Sequence, residues 1–237
     1  VLFGTGTPLL ALASEGPLFS VEVNRFRQPG SMAAYVETPL SVEGNSLHYV
    51  PGENGFVAAI GVEVVVRSLP DSSPTFFDAF RLSSQPLADT SEQSLDYNLM
   101  NQLRIELEPG EYVMRVRVSD LHTPDTAHRQ VVREFTIEPI EQKAFATSDI
   151  LFAEELTPAK DRSDEEPSFQ KHGLRIVPHP QGDYFSMEDS LTFYVEFYNL
   201  KNLTKQYYFV EAYLTPTNAE LKKPSYTRVF KPKKPKA

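Results

Sequence analysis

Residues 107–121 read LEPGEYVMRVRVSDL. Pro109 and Gly110 make a turn, and beyond it Tyr112, Met114, Val116 and Val118 alternate with Val113, Arg115, Arg117 and Ser119. A period of two belongs to a strand with one buried face and one wet face. The same grammar extends upstream. Phe19, Val21 and Val23 alternate with Ser20, Glu22 and Asn24, MAAYVETPL gives a second strand, and LHYVPGENGFVAAIGVEVVVRSL gives two more about the turn Pro51–Gly55. With TFFDAFRLSS, QLRIELE and QVVREFTIEP, about eight strand segments fall between residues 17 and 139, at the spacing of an immunoglobulin-like sandwich. Only SEQSLDYNLMNQL has room for a helical turn.

The polar segment EPIEQKAFATSD carries Pro139 and separates this unit from another. The second unit contains the strand candidates DILFAEEL, HGLRIVP, LTFYVEFYNL, YYFVEAYLTP and YTRVF, interrupted by the loop TPAKDRSDEEP. These are fewer strands than a closed sandwich needs. The expected architecture is all-β, with two tandem immunoglobulin-like antiparallel β-sandwich modules, the second incomplete. The first spans 14–139, a linker 140–148, the second module 149–230, and a basic Pro/Lys tail or linker 231–237. LLALASEG, with the small-x-small site Ala11-Leu12-Ala13, is expected to be the end of a secretory signal, so that 1–13 is a signal remnant.

With 41% hydrophobic and 23% charged residues the chain is too apolar for wholesale disorder. No stretch reaches the roughly 18 to 20 apolar residues of a membrane span. The net charge is −9, and the last 17 residues hold seven bases and no acid, leaving 16 bases against 32 acids in the first 220. A body of that sign repels phosphate, which excludes nucleic acid as a partner. There is no cysteine, hence no disulfide, thiolate metal site or cysteine nucleophile.

The run LEPGEYVMRVRVSDL, the passage into SDILFAEEL, the segment RIVPHP and the run LTFYVEFYNL together resemble the β-rich envelope region that accompanies the GWxTD domain in bacterial GWxTD-domain proteins. The resemblance covers residues 100 to 200. The name-giving motif is absent, since the chain has no Trp. The resemblance implies an exported protein, periplasmic, envelope-associated or extracellular, without established enzymatic activity, and it supplies no active-site residues.

Chemistry-bearing clusters are few. DLHTPDTAHR brings Asp120, His122, Asp125 and His128 into one connection, donors that suit zinc, but Thr123, Pro124 and Asp125 are ordinary turn formers and the segment reads as a hairpin loop. Asp161, Asp164, Glu165 and Glu166 offer oxygens for calcium without the EF-hand spacing, and read as a solvated loop. His172 and His179 read as surface residues. The chain has no G-x-S-x-G or H-E-x-x-H motif. No catalytic residue, metal site or cofactor is therefore assigned, and the protein reads as a non-enzyme.

The remaining candidate is a tyrosine-rich surface. In LTFYVEFYNL, alternation is expected to bury Leu191, Phe193, Val195 and Phe197 and to present Tyr194, Glu196 and Tyr198 on the other face. In YYFVEAYLTP it groups Tyr207, Phe209, Glu211 and Tyr213. Should the two strands pair, Tyr194, Glu196, Tyr198, Tyr207, Glu211 and Tyr213 form one ligand or partner surface. Its bland counterpart is cross-strand aromatic packing, or burial against the first module. The leading functional expectation is a non-catalytic interaction or structural module holding a protein partner or a neighbouring domain. The alternatives are a carbohydrate-binding accessory module that stacks sugars on the tyrosines, and a hydrolase with unidentified carboxylates.

Overall fold

The computed structural model of the chain describes residues 16–28, 33–123, 127–140, 143–159, 169–180 and 191–200, and the backbone alone of 208–212 and 226–230. The protein is all-β. The first unit holds β1 (Phe19–Val21), β2 (Asn24–Arg27), β3 (Ala34–Glu43), β4 (Val50–Gly52), β5 (Gly55–Val57), β6 (Ala59–Ser68), β7 (Pro74–Ser83), β8 (Asn98–Leu107), β9 (Gly110–Asp120) and β10 (His128–Ile137). The second unit holds β11 (Ala146–Thr147), β12 (Leu151–Pro158), β13 (Gln170–Lys171), β14 (Leu174–Pro178), β15 (Thr192–Tyr194), β16 (Phe197–Tyr198), β17 (Tyr208–Ala212) and β18 (Tyr226–Phe230).

Two antiparallel sheets make the first sandwich. One has the order β10-β9-β6-β7 and is called the outer sheet. The other, the middle sheet, is built on β3, which pairs with β8 along one edge and with β1 and β2 in succession along the other. Alternation decides which side chains meet between them. Val36, Leu40 and Val42 of β3 and Ile105 and Leu107 of β8 face Ile60, Val62, Val64 and Val66 of β6 and Met114, Val116 and Val118 of β9, all buried in a single core. Residues 110–120 of the opening stretch are thus a central strand of the outer sheet, paired with β6 on one side and β10 on the other, with Glu111, Val113, Arg115, Arg117 and Ser119 facing outward. The helical turn allowed between 91 and 103 is a single turn, closed by Leu95 N–H donating to Ser91 O at 3.1 Å. From Asn98 the chain is strand, because Leu99, Leu103, Ile105 and Leu107 recur at the period that reaches the core.

In the second unit a four-stranded antiparallel sheet runs β13-β14-β12-β15, accompanied by the two-stranded pairs β11-β16 and β17-β18. Leu151, Ala153 and Ile176 of this unit share a small cluster with Phe26 of β2. The middle sheet therefore lies between the first core and the second unit.

Two expectations about the tyrosine strands are corrected. LTFYVEFYNL is not one strand: it breaks after Tyr194, so that β15 pairs with β12 and β16 with β11, in different sheets. Its burial is also inverted, with Leu191, Phe193 and Phe197 exposed and Tyr194, Glu196 and Tyr198 turned inward. β17 pairs with β18 rather than with this segment. Tyr207, Tyr213 and the side chain of Glu211 lie outside the described residues, as do residues 1–13, Asp125, the acidic residues Asp161, Asp164, Glu165 and Glu166, and the tail 231–237.

Candidate functional site

The reason for the inversion is visible from the middle sheet. Its outward positions, Phe26 on β2, Tyr35 and Glu37 on β3 and Arg104 on β8, would face water if the sandwich stood alone. Instead Phe26 is 1% exposed and the Glu37 side chain 1% exposed, because the second unit packs over them. A carboxylate that deep requires partners. Two cations serve it: Lys171 Nζ lies 3.3 Å and Arg104 Nε 3.5 Å from Glu37 Oε1.

Lys171 ends β13, and the two residues after it, His172 and Gly173, have φ of 49° and 77°. Two consecutive left-handed residues joining β13 to β14 make the turn whose twist matches antiparallel strands. That turn aims Lys171 back across the seam between the units. Its ammonium sits 3.0 Å from the centre of the Phe26 ring, 3.1 Å from Glu196 Oε1, and 5.3 Å and 5.6 Å from the rings of Tyr35 and Tyr194. Glu196 also accepts hydrogen bonds from the hydroxyls of Tyr194, at 3.0 Å, and Tyr198, at 2.9 Å. His172 Nε2 lies 3.4 Å from the same carboxylate. Sequence reading grouped Tyr194, Glu196 and Tyr198, and the structure does bring these three together.

Backbone and side-chain bonds lock the same seam. Arg25 N–H donates to Asp149 Oδ2 at 2.7 Å, and Asp149 N–H returns a bond to Arg25 O at 3.0 Å. Arg27 N–H donates to the Tyr198 hydroxyl at 3.0 Å, and the Arg27 guanidinium donates to Asn199 Oδ1 at 2.9 Å. Ser148 holds the break between β15 and β16: Glu196 N–H donates to Ser148 Oγ at 2.8 Å, and Ser148 N–H donates to Glu196 O at 2.9 Å. Between these contacts remains an open cleft of about 740 Å³, walled by Tyr35, Arg104, Lys171, Tyr194, Glu196 and Tyr198.

The electrostatics follow from burial and pairing. Burial lowers the pKa of the Lys171 ammonium, against the pull of Glu37 and Glu196. Burial alone would raise Glu196, but Lys171 and the two tyrosine hydroxyls outweigh it and hold its pKa below the ordinary value. Burial, reinforced by the charge of Glu37, pushes Tyr35 up to about 12, and Tyr194 and Tyr198 are raised mainly by burial.

Asp120 is buried, accepting the backbone N–H of His48 at 2.8 Å and of His122 at 2.9 Å. Among the described residues no group of three or more His, Asp or Glu side chains is placed to hold a metal ion. Also among the described residues, no helix is long and apolar enough to cross a membrane. Sequence reading missed Phe26, Glu37, Arg104, Asp149 and Lys171. Glu37 stands between Val36 and Thr38 in β3, but its charged partners lie 67 and 134 positions away. No family model, no curated protein and no solved structure matches the chain.

Proposed function

We propose that the protein is a non-catalytic, exported interaction or structural module, in which two β units are fastened into one body that presents its remaining surface to a protein partner. One observation carries this reading: Tyr194, Glu196 and Tyr198, the best ligand-binding candidates in the sequence, hold the second unit to the first through Lys171, Glu37 and Phe26. A tyrosine whose ring packs on Phe26 and whose hydroxyl is engaged by Glu196 offers a sugar little free face. Export rests on the resemblance to the GWxTD-associated envelope region and on the small-x-small site at Ala11–Ala13.

The test is a thermal melt of the full chain with divalent metals and with soluble oligosaccharides. A specific ligand at about 100 times its Kd adds about 2.7 kcal/mol and moves the midpoint by several degrees. No shift is expected with either panel. An oligosaccharide shift abolished by Tyr194→Phe would transfer the protein to the carbohydrate-binding class, and turnover of any panel member would make it an enzyme. Export is checked by fractionating cells that produce the protein from its own gene; recovery in the cytoplasm alone would refute it.

A further inference from the structure

The cation at the seam sits in a cage that other residues build. Phe26 and Tyr35 are cross-strand partners on β2 and β3, and Glu37 and Arg104 are partners on β3 and β8, so one wall is fixed by the register of the middle sheet. The opposite wall comes from β15 and the break after it. Tyr194 is paired to Leu151 on β12, Ser148 holds the Glu196 backbone, and the hydroxyls of Tyr194 and Tyr198 aim the Glu196 carboxylate. Arg25 with Asp149, and Arg27 with Tyr198 and Asn199, join the two walls. None of these contacts uses Lys171.

Lys171 supplies only the occupant. It ends the two-residue strand β13, and its side chain, 11% exposed, reaches in between the walls. The ammonium lies over Phe26, with the rings of Tyr35 and Tyr194 beyond, and takes one carboxylate oxygen from each unit. Aromatic faces and carboxylates converging on one cation are the means by which an alkylammonium is recognised. The dimensions choose among such cations. A nitrogen 3.0 Å from the ring centre leaves no room for a methyl group, whose carbon needs about 3.5 to 4.0 Å. A quaternary nitrogen also has no N–H to donate to Glu37 and Glu196, whereas the compact head of a primary amine has donors for both. The open cleft of about 740 Å³ touches Phe26, Tyr35, Lys171, Tyr194 and Glu196, which gives the cage an entrance.

We propose that the cage of Phe26, Tyr35, Tyr194, Glu37 and Glu196 is a binding site for a primary alkylammonium group, and that Lys171 is its tethered ligand, which keeps free amines out. A short tether gives its ligand an effective concentration on the order of millimolar or more, so a small free amine does not displace it. The site stands on the geometry of the seam and is independent of the interaction role given above.

The experiment empties the cage and offers it a free amine. Lys171→Ala in the full chain keeps Cβ, and n-propylammonium chloride supplies the carbons and the nitrogen that are removed. The variant is melted with propylammonium at up to about 100 mM, roughly a hundredfold above the millimolar Kd of a ligand this small, with sodium chloride holding the ionic strength constant. Expected are a midpoint raised by several degrees in Lys171→Ala, no rise in the wild-type chain, and none in Lys171→Met, whose stem still fills the space. The controls n-propanol and tetramethylammonium are expected to give no rise. In isotope-labelled Lys171→Ala the amide shifts should centre on Tyr35, Glu37, Tyr194 and Glu196, and adding Glu196→Gln should weaken the amine about tenfold. Where Lys171→Ala does not fold alone, refolding brought about by propylammonium and not by propanol supports the site, and failure to refold with either overturns it. No rise, an equal rise with propanol or tetramethylammonium, a rise in Lys171→Met, or shifts away from the seam would equally overturn the proposal. Those results leave the interaction role standing, which falls instead to turnover or a sugar-specific shift in the melts above.

Discussion

Lys171 is the residue on which the seam turns, because its ammonium serves Glu37 and Glu196 together while lying on the Phe26 ring. Removing one partner of a buried ionic group costs more than the group's net worth, since the other charge is left without compensation. Lys171→Met keeps the stem that covers apolar surface and deletes only the charge. It is expected to cost about 3 kcal/mol in urea unfolding, less than the extreme because Arg104 still reaches Glu37. Adding Glu37→Gln should cost less than the two single changes summed, by about 1 kcal/mol; strict additivity would show that the two groups do not interact. The seam also has a pH signature. Glu196 has a depressed pKa, so its contribution is whole above its ordinary 4.5 and declines as pH falls below that value. Tyr35 has the opposite displacement: its contribution is whole below pH 10.0 and is lost as pH climbs to about 12. Tyr194 and Tyr198 act in the same direction as Tyr35, and the depressed pKa of Lys171 opposes them in alkali. The difference in stability between the wild-type chain and Glu196→Gln should therefore be flat from pH 5 to 8 and shrink below pH 4.5, as read from urea midpoints across the range.

At the scale of the element, the sandwich strands were legible because each buries one face and wets the other. β9 and β6 repeat that pattern for ten or eleven residues, and the first core lies where their periodicity puts it. The segment 191–200 was not legible in the same way. It has perfect alternation with bulky apolar residues on one face and tyrosines on the other, so the more apolar set was assigned to the interior. What reverses it is tertiary: Phe26 and Lys171 line the tyrosine rings, and Ser148 takes the Glu196 N–H where the strand breaks. None of those partners lies in the segment. The candidate site was thus readable as a trio of residues but not as a seam, since its other half comes from β2, β3 and β8. The inversion has a measurable consequence. Phe193→Ser, on the exposed side, is expected to change stability by no more than about 0.5 kcal/mol. Tyr194→Ala, which removes a ring from the seam, should cost about 2 to 3 kcal/mol, somewhat less than truncating a fully buried aromatic. Equal losses from the two, measured by denaturant midpoints, would restore the original assignment.

At the scale of the molecule, the middle sheet faces a large core on one side and only a small cluster on the other. Among the described residues the first core unites twenty buried residues, whereas Phe26, Leu151, Ala153 and Ile176 form the cluster at the seam. So few apolar side chains give the second unit little hydrophobic reason to stay, and its attachment depends on directional contacts: Lys171 with its two carboxylates, the reciprocal pair between Arg25 and Asp149, and Tyr198 beneath the Arg27 N–H. Interfaces of this polar kind ordinarily permit the units to move relative to each other. Here the polar groups are mutually satisfied at several points, which makes partial opening costly, because each separated group would lose its partner before water could reach it. The two units are therefore expected to unfold in one calorimetric transition, with a van't Hoff enthalpy equal to the calorimetric value. Asp149→Ala combined with Lys171→Met removes the carboxylate that holds the Arg25 N–H and the central cation without touching the first core. In that variant the transition should split: the β1–β10 sandwich keeps its midpoint, and a smaller transition from the second unit appears at lower temperature. A single transition shifted as a whole would mean that the units are coupled through the Phe26 cluster rather than through the charged seam, and Phe26→Ala would then be the change that separates them.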